Sequence, residues 1–171
     1  HIVACGAAYH AGVTGKYVLE GLARIPVEVD LASEFRYRDP ILEEGAMVVV
    51  ISQSGETADT LAALRESKKR GFQVLGIVNV VGSSIAREAD HVMYTWAGPE
   101  IAVATTKAYS TQLTAQYLLA LKFARVKGAV SETDFRDMLA DLGRLPDQIE
   151  LLLNNKNRIQ RFANRYIAAK D

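Results

Sequence analysis

The stretch Met47 to Thr60 (MVVVISQSGETADT) limits what this chain can become more than any other. Five consecutive apolar residues, Met47, Val48, Val49, Val50 and Ile51, are too few for a buried helix and rich in β-branched side chains, so they predict a strand buried on both faces. Ser52, Gln53, Ser54, Gly55, Glu56 and Thr57 follow with no room for a long loop before a helical pattern starts. The first turn of a helix leaves backbone N–H groups unpaired at the positive end of the macrodipole, where an anion is favoured. Ser52, Ser54 and Thr57 add hydroxyl donors there, and Gly55 lets the backbone come close. The pattern predicts a phosphate cradle built from neutral donors. A simple helix cap by Ser54 or Thr57 is the alternative, but it accounts for one or two hydroxyls only. The stretch is not a Walker loop, because Glu56 rather than lysine follows Gly55. Nor is it a nucleophile elbow around Ser54, because Ser52 and Glu56 stand where glycines are required.

The rest of the composition narrows the class of partner. The 171 residues are 49% apolar and 23% charged, enough for one well-packed core. Lys plus Arg and Asp plus Glu are 20 each, so no uncompensated positive field attracts nucleic acid or an anionic membrane. No apolar run approaches the ~20 residues of a membrane span, and the cytoplasm is the expected compartment. The single cysteine, Cys5, excludes an internal disulfide and a cysteine-based zinc cluster. The chain opens with His1 already inside a strand-like run, which suggests a piece of a longer protein.

Taken in order, His1 to Cys5 predicts a first strand, Gly6 to Tyr9 a loop and His10 to Ala23 a helix broken by Pro26. Val27, Val29 and Leu31 form a short second strand. Ser33 to Glu44 is polar, contains Pro40 and has no period, so it predicts a surface connection. Its Arg36 and Arg38 either reach a ligand anion or pair with neighbouring carboxylates. Thr57 to Arg70 is an amphipathic helix with Ala58, Leu61 and Leu64 inward, ended by Gly71. Its final Lys68, Lys69 and Arg70 offset the helix dipole. Val74 to Val78 is a fourth strand, Ser83 or Ser84 caps a short helix, and His91 to Thr95 is a fifth strand. Trp96 to Lys107 is a loop that leads, past Thr105 and Thr106, into a long helix from Ala108 to about Val126. The remaining helices are capped by Ser131 and interrupted by Pro146. Alternating strands and helices with short links imply a parallel sheet covered on both faces.

In such a sheet, ligands collect beyond the carboxyl ends of the strands where strand order reverses. For the order 2-1-3-4-5, the reversal brings together the loops Gly6 to His10 and Ser52 to Thr57. Hydroxyl clustering and topology thus select the same corner.

These residues also carry a family resemblance. SQSGET after a buried strand, with ADTLAALRESKKRG, GIVNVVGSSIAREAD, AGPEIAVATTKAYSTQL and ASEFRYRDP, resembles the sugar isomerase (SIS) domain family. Within it, the chain is similar to the first SIS domain of the glucosamine-6-phosphate synthases, the isomerising glutamine:fructose-6-phosphate aminotransferases. The similarity runs from Val3 to about Leu121. It implies a three-layer α/β/α sandwich around a five-stranded parallel sheet of flavodoxin-like order 2-1-3-4-5. It further implies an SIS phosphosugar-binding domain over residues 1–127 and a helical extension over 128–171 that leads to a second SIS domain.

The same resemblance implies fructose 6-phosphate or glucosamine 6-phosphate as ligand, bound through Ser52, Gln53, Ser54 and Thr57, with Val103 and Thr105 touching the sugar. Lys107 matches a lysine of the last motif, with its role open. It implies a homodimer, no cofactor and no metal, and covalent partners in the full-length protein, a glutaminase domain and the second SIS domain. Relatives usually read C-G-T-S-Y where this chain has Cys5, Gly6, Ala7, Ala8, Tyr9. Ala7 and Ala8 therefore meet the sugar without hydroxyls. Each lost neutral hydrogen bond is worth ~0.5–1.5 kcal/mol, enough to lower sugar affinity about tenfold while the phosphate site survives. Ala102 also replaces a glycine common among relatives.

The groups for ring opening and amination belong, by the same resemblance, to the second SIS domain and the C-terminal tail, so no catalytic residue is expected here. Cys5 reads as a packing thiol, His10 has no partner carboxylate in sequence view, and His91 suits a strand edge. Two other readings stay open: a phosphosugar-sensing regulatory SIS module, and a flavodoxin-like packing domain with no ligand.

Overall fold

The computed structural model describes residues 1–102 and 105–169. Five strands form one parallel sheet in the order β2-β1-β3-β4-β5. They are β1 (Ile2–Ala4), β2 (Val29–Leu31), β3 (Met47–Ser52), β4 (Gln73–Val78) and β5 (His91–Tyr94). Between them run α1 (Gly6–Val18), α2 (Ala32–Tyr37), α3 (Ala58–Lys69) and α4 (Ser84–Glu88), and α5 (Lys107–Val126) follows β5. The order and the parallel sense agree with the expected sandwich.

Period-two alternation within the strands divides the core into two layers. Ile2, Ala4, Val49, Ile51, Leu75 and Ile77 face one way and meet Ala8 and Leu19 after β1 together with Ala115 and Ala120 of α5. Val3, Val48, Val50, Val74 and Val78 face the other way and meet Phe35, Ala63, Leu64 and Ile85. Because both faces are covered, the strands carry continuous apolar runs rather than an apolar–polar alternation. The short Gly76 lets α4 approach, since a Cβ there would stand 3.0 Å from Ile85 Cγ2.

Several local expectations are corrected. The loop expected at Gly6 to Tyr9 is the first part of α1, which begins directly at Gly6 with its φ of +55°. The connection expected at Ser33 to Glu44 contains α2, whose six residues are too short to show a period but bury Ala32 and Phe35. Ala58 is exposed, and the inner face of α3 is Thr60, Ala63, Leu64 and Ser67. Helix α1 does not run unbroken to Pro26: it passes into a π-helical turn, Leu19–Ala23, and Arg24 ends it at φ +54°.

Residues His1–Ser131 form one compact unit and Glu132–Asp171 a second. The second unit holds α6 (Glu132–Asn154), α7 (Lys156–Ala163) and a 3-10 turn, Asn164–Tyr166. Pro146 does not interrupt α6 but lies inside it. A helical proline removes one i→i−4 bond, and in an exposed turn water can serve the freed carbonyl. Among the described residues, no helix is long and apolar enough to cross a membrane.

Candidate functional site

Register fixes the corner where strand order reverses. β1 pairs β3 with Ala4 opposite Ile51, so Cys5 and Ser52 leave the sheet side by side. The helices that follow depart to opposite faces, α1 into the layer of Ala8 and Leu19 and α3 into the layer of Ala63 and Leu64. The crevice between them is the topological switch point of a doubly wound sheet.

The turn after β3 is held by its own hydroxyls. Ser52 is 2% exposed, and its Oγ accepts the Gly55 amide at 3.0 Å while lying 2.9 Å from Thr57 Oγ1. Two hydroxyls in one hydrogen bond use one proton between them and leave the other free. Since Ser52 is buried and Thr57 is half-buried, Ser52 donating to Thr57 leaves the accessible Thr57 proton for a ligand. Ser54 Oγ accepts the Glu56 amide at 3.2 Å. Thr57 occupies the N-cap position of α3 but makes no side-chain cap, and the first intrahelical bond is Leu61 N–H to Thr57 O at 2.9 Å. The amides of Ala58, Asp59 and Thr60 thus head the helix without that cap, at the positive end of its dipole.

The back of the turn is clamped to α4. Gly55 O accepts the Ile85 amide at 3.0 Å, and Glu56 Oε1 accepts the Ser84 amide at 2.7 Å. The Ser84 hydroxyl and amide hold the Glu56 carboxyl below its usual range. On the far side, the Asn79 amide donates to Gln53 O at 3.1 Å.

The loop after β5 is organised from within. Thr105 Oγ1 donates to Glu100 Oε2 at 2.6 Å and accepts the Ala108 amide at 3.3 Å. Glu100 Oε1 accepts the Ala102 amide at 3.2 Å. The Thr105 hydroxyl, then the Ala102 amide, keep the Glu100 carboxyl below its usual range. Lys107 Nζ donates to Pro99 O.

The expected site residues other than Val103 can therefore be placed. Ser52, Gln53, Ser54 and Thr57 lie together in the turn at the carboxyl end of β3. Ala7 is exposed in the first turn of α1 next to that corner, whereas Ala8 is 9% exposed and packed into the core layer of α1 and α5. Thr105 stands two residues before α5 with its hydroxyl engaged by Glu100. Val103 lies outside the described residues. Arg36 and Arg38 take the neighbour-pairing alternative, with Asp59 at 3.3 Å and Asp30 at 2.7 Å. Asn79, Glu56 and Glu100 as tethers escaped the sequence reading. The available signal for Asn79 was its position, directly after a buried strand like Ser52.

A different concavity of about 530 Å³ lies at the amino ends of β1 and β3, lined in part by Ile2, Met47 and Phe123. Glu20, Glu28, Glu43 and Glu44 also line it, and four carboxylates repel a phosphate dianion. Its lining does not suit an anion, whereas the Ser52 turn offers hydroxyl and amide donors.

The chain is similar to a set of known proteins. The isomerising glutamine–fructose-6-phosphate aminotransferase of Caldanaerobacter subterraneus subsp. tengcongensis is 63% identical over 99% of this chain. That of Clostridium tetani is 57% identical over the whole chain. In both cases the chain spans 28% of the relative's length and is homologous to that region of the enzyme. The C-terminal domain of glucosamine-fructose-6-phosphate aminotransferase from Francisella tularensis superposes with a TM-score of 0.92 at 41% identity, covering 96% of this chain and 47% of that one. The sequence model of the SIS domain matches residues 1–122, the whole sheet and most of α5, and the chain accordingly belongs to the SIS domain family.

Proposed function

We propose that this chain is the phosphosugar-binding half of the isomerase portion of an isomerising glutamine–fructose-6-phosphate aminotransferase. The observation that carries the reading is the Ser52–Thr57 turn: a hydroxyl pair at 2.9 Å beside an α3 N-terminus that its own N-cap residue leaves uncapped, at the strand-order switch point. In this reading the phosphate of fructose 6-phosphate or glucosamine 6-phosphate accepts from Thr57, Ser54, Gln53 and the first amides of α3. Ser52, buried beneath them, orients Thr57 and holds the Gly55 amide. The donors are neutral, so charge is balanced by dipoles rather than by lysine or arginine. Thr105 and the alanines at 7 and 8 border the sugar. The 63% identity to an aminotransferase supports this reading over the regulatory phosphosugar sensor.

The whole enzyme would convert fructose 6-phosphate and glutamine to glucosamine 6-phosphate and glutamate. Its acid–base groups, its glutaminase domain and its second SIS domain would lie in the rest of the longer polypeptide. This region then binds without turnover, residues 128–171 lead toward the second SIS domain, and the protein is a cytoplasmic homodimer. Thermal denaturation tests the core of the proposal. At 100 times Kd a ligand stabilises by ~2.7 kcal/mol, a shift of several degrees. Fructose 6-phosphate should produce it and unphosphorylated fructose should not; equal shifts would sink the phosphate cradle.

A further inference from the structure

Asn79 is the first residue beyond β4, and it joins two loops that the sheet order keeps apart. Its amide donates to Gln53 O at 3.1 Å, extending the β3–β4 ladder one step past Ser52 and Val78. Its side chain reaches the other way. Oδ1 accepts the Thr95 hydroxyl at 3.1 Å and the Ala97 amide at 2.8 Å, and Nδ2 donates to Gly98 O at 2.8 Å. Both polar atoms of the side chain are therefore spent on the loop after β5.

That loop needs an outside tie. Trp96 is a non-glycine residue at φ +53°, a conformation that persists only where the surroundings impose it. Trp96 is also 75% exposed, so burial does not hold it there. The bonds from Asn79 to Thr95, Ala97 and Gly98 bracket Trp96 on both sides. Immediately downstream, Glu100 collects the Thr105 hydroxyl.

We propose that Asn79 is a positioning residue that sets the loop after β5 against the Gln53 side of the phosphate turn, and thereby selects a phosphate that carries a sugar over phosphate alone. The inference rests on the phosphosugar reading above and adds a residue to it. The two halves of Asn79 separate cleanly. Substitution of the side chain leaves its main-chain N–H on Gln53 O, so the phosphate turn keeps its support while the loop after β5 loses three hydrogen bonds.

The test is calorimetric titration of the full chain with fructose 6-phosphate and, separately, with inorganic phosphate. In Asn79→Ala, affinity for fructose 6-phosphate should fall about tenfold or more, with inorganic phosphate within about twofold of wild type. Asn79→Asp keeps both acceptor bonds and loses the donor to Gly98, so its selective loss should be smaller. Thr95→Val removes one bond from the opposite partner and serves if Asn79→Ala does not fold; its loss should again fall on the phosphosugar alone. Equal losses for both ligands, or no loss for either, would overturn the positioning role. If wild type binds neither ligand, the phosphate-turn reading itself is at fault and the inference falls with it; wild-type binding with unselective variants defeats the inference alone.

Discussion

Ser83 stands directly over Gly55: a Cβ built on Gly55 would lie 2.0 Å from Ser83 Oγ and 2.5 Å from Ser83 Cβ. Gly55 also adopts φ +67°, so an alanine there meets both a steric wall and an unfavourable backbone region. The left-handed region costs an L-residue ~1–2 kcal/mol and overpacking ~1–3 kcal/mol. Gly55→Ala should therefore destabilise by about 2–5 kcal/mol in chemical denaturation. Adding Ser83→Gly clears the wall but not the dihedral, so the double variant should recover only part of the loss. Full recovery, or no loss in the single variant, would contradict this packing.

The paired hydroxyls of the turn differ in what they support. Thr57→Val keeps the β-branched shape but removes both a half-buried hydroxyl and the partner of the buried Ser52 proton, so it should weaken fructose 6-phosphate binding and lower the melting temperature less than Ser52→Ala does. One neutral hydrogen bond is worth ~0.5–1.5 kcal/mol, a factor of about 2 to 13 in Kd. Ser52→Ala removes the acceptor of the Gly55 amide and the partner of Thr57, so it should lower both stability and affinity. Isothermal titration alongside thermal melts separates the two patterns. Unchanged affinity in both variants would remove these hydroxyls from the binding role.

What the sequence revealed and what it hid divide along the range of the interactions. The β3 strand, its hydroxyl turn and the start of α3 lie within consecutive residues, and local pattern was enough. The alternation of short strands and helices implies the parallel sheet, whereas the order 2-1-3-4-5 is an assumption of the local reading and is what the family resemblance implies. The tethers were invisible because they join distant residues: Glu56 to Ser84 spans 28 positions and Asn79 to Gly98 spans 19. Helix α2 has too few residues for two turns and shows no period, so burial of Phe35 decides it instead. Hydropathy points Ala58 inward, whereas the helix phase buries Thr60 instead. Pro146 marks a helix break by local propensity, yet it lies inside α6, where water can serve the carbonyl that its missing N–H leaves free.

Glu56 gives the turn a dependence on pH. Its carboxylate accepts the Ser84 amide at 2.7 Å, and Ser84 lowers its pKa from the ordinary 4.5. A group whose folded pKa lies below its unfolded value contributes stability that is present above the unfolded pKa and lost as pH falls through the folded one. Glu100 and Asp90 shift in the same direction, Glu100 through Thr105 first and Asp90 through Lys68 first. Melting temperature should thus decline as pH falls below about 4.5. Glu56→Gln keeps an acceptor for the Ser84 amide and removes one titration, so its acid arm should be shallower than wild type. An identical acid arm in the variant would show that ionisation of Glu56 adds no pH-dependent stability.

The interface of α1 and α5 offers a collision that sequence propensity predicts with the wrong sign. Gly15 lies inside α1, where replacing glycine by alanine ordinarily gains about 0.5–1 kcal/mol. Here a Cβ on Gly15 would fall 1.6 Å from Oε1 of Gln116, a residue 1% exposed whose Nε2 donates to Ala11 O at 2.9 Å. The alanine must drive the Gln116 amide out of its place, and an amide stranded in the interior costs ~1–3 kcal/mol before any overpacking is counted. Loss wins over propensity, so Gly15→Ala should destabilise by about 1–4 kcal/mol in urea unfolding. Removing the collision partner removes the loss: in a Gln116→Ala background, Gly15→Ala should be close to neutral, giving a double-mutant coupling well above the ~0.5 kcal/mol of independent sites. A stabilised Gly15→Ala single variant would mean that Gln116 is free to move aside, and that the close approach of α1 to α5 does not depend on this glycine.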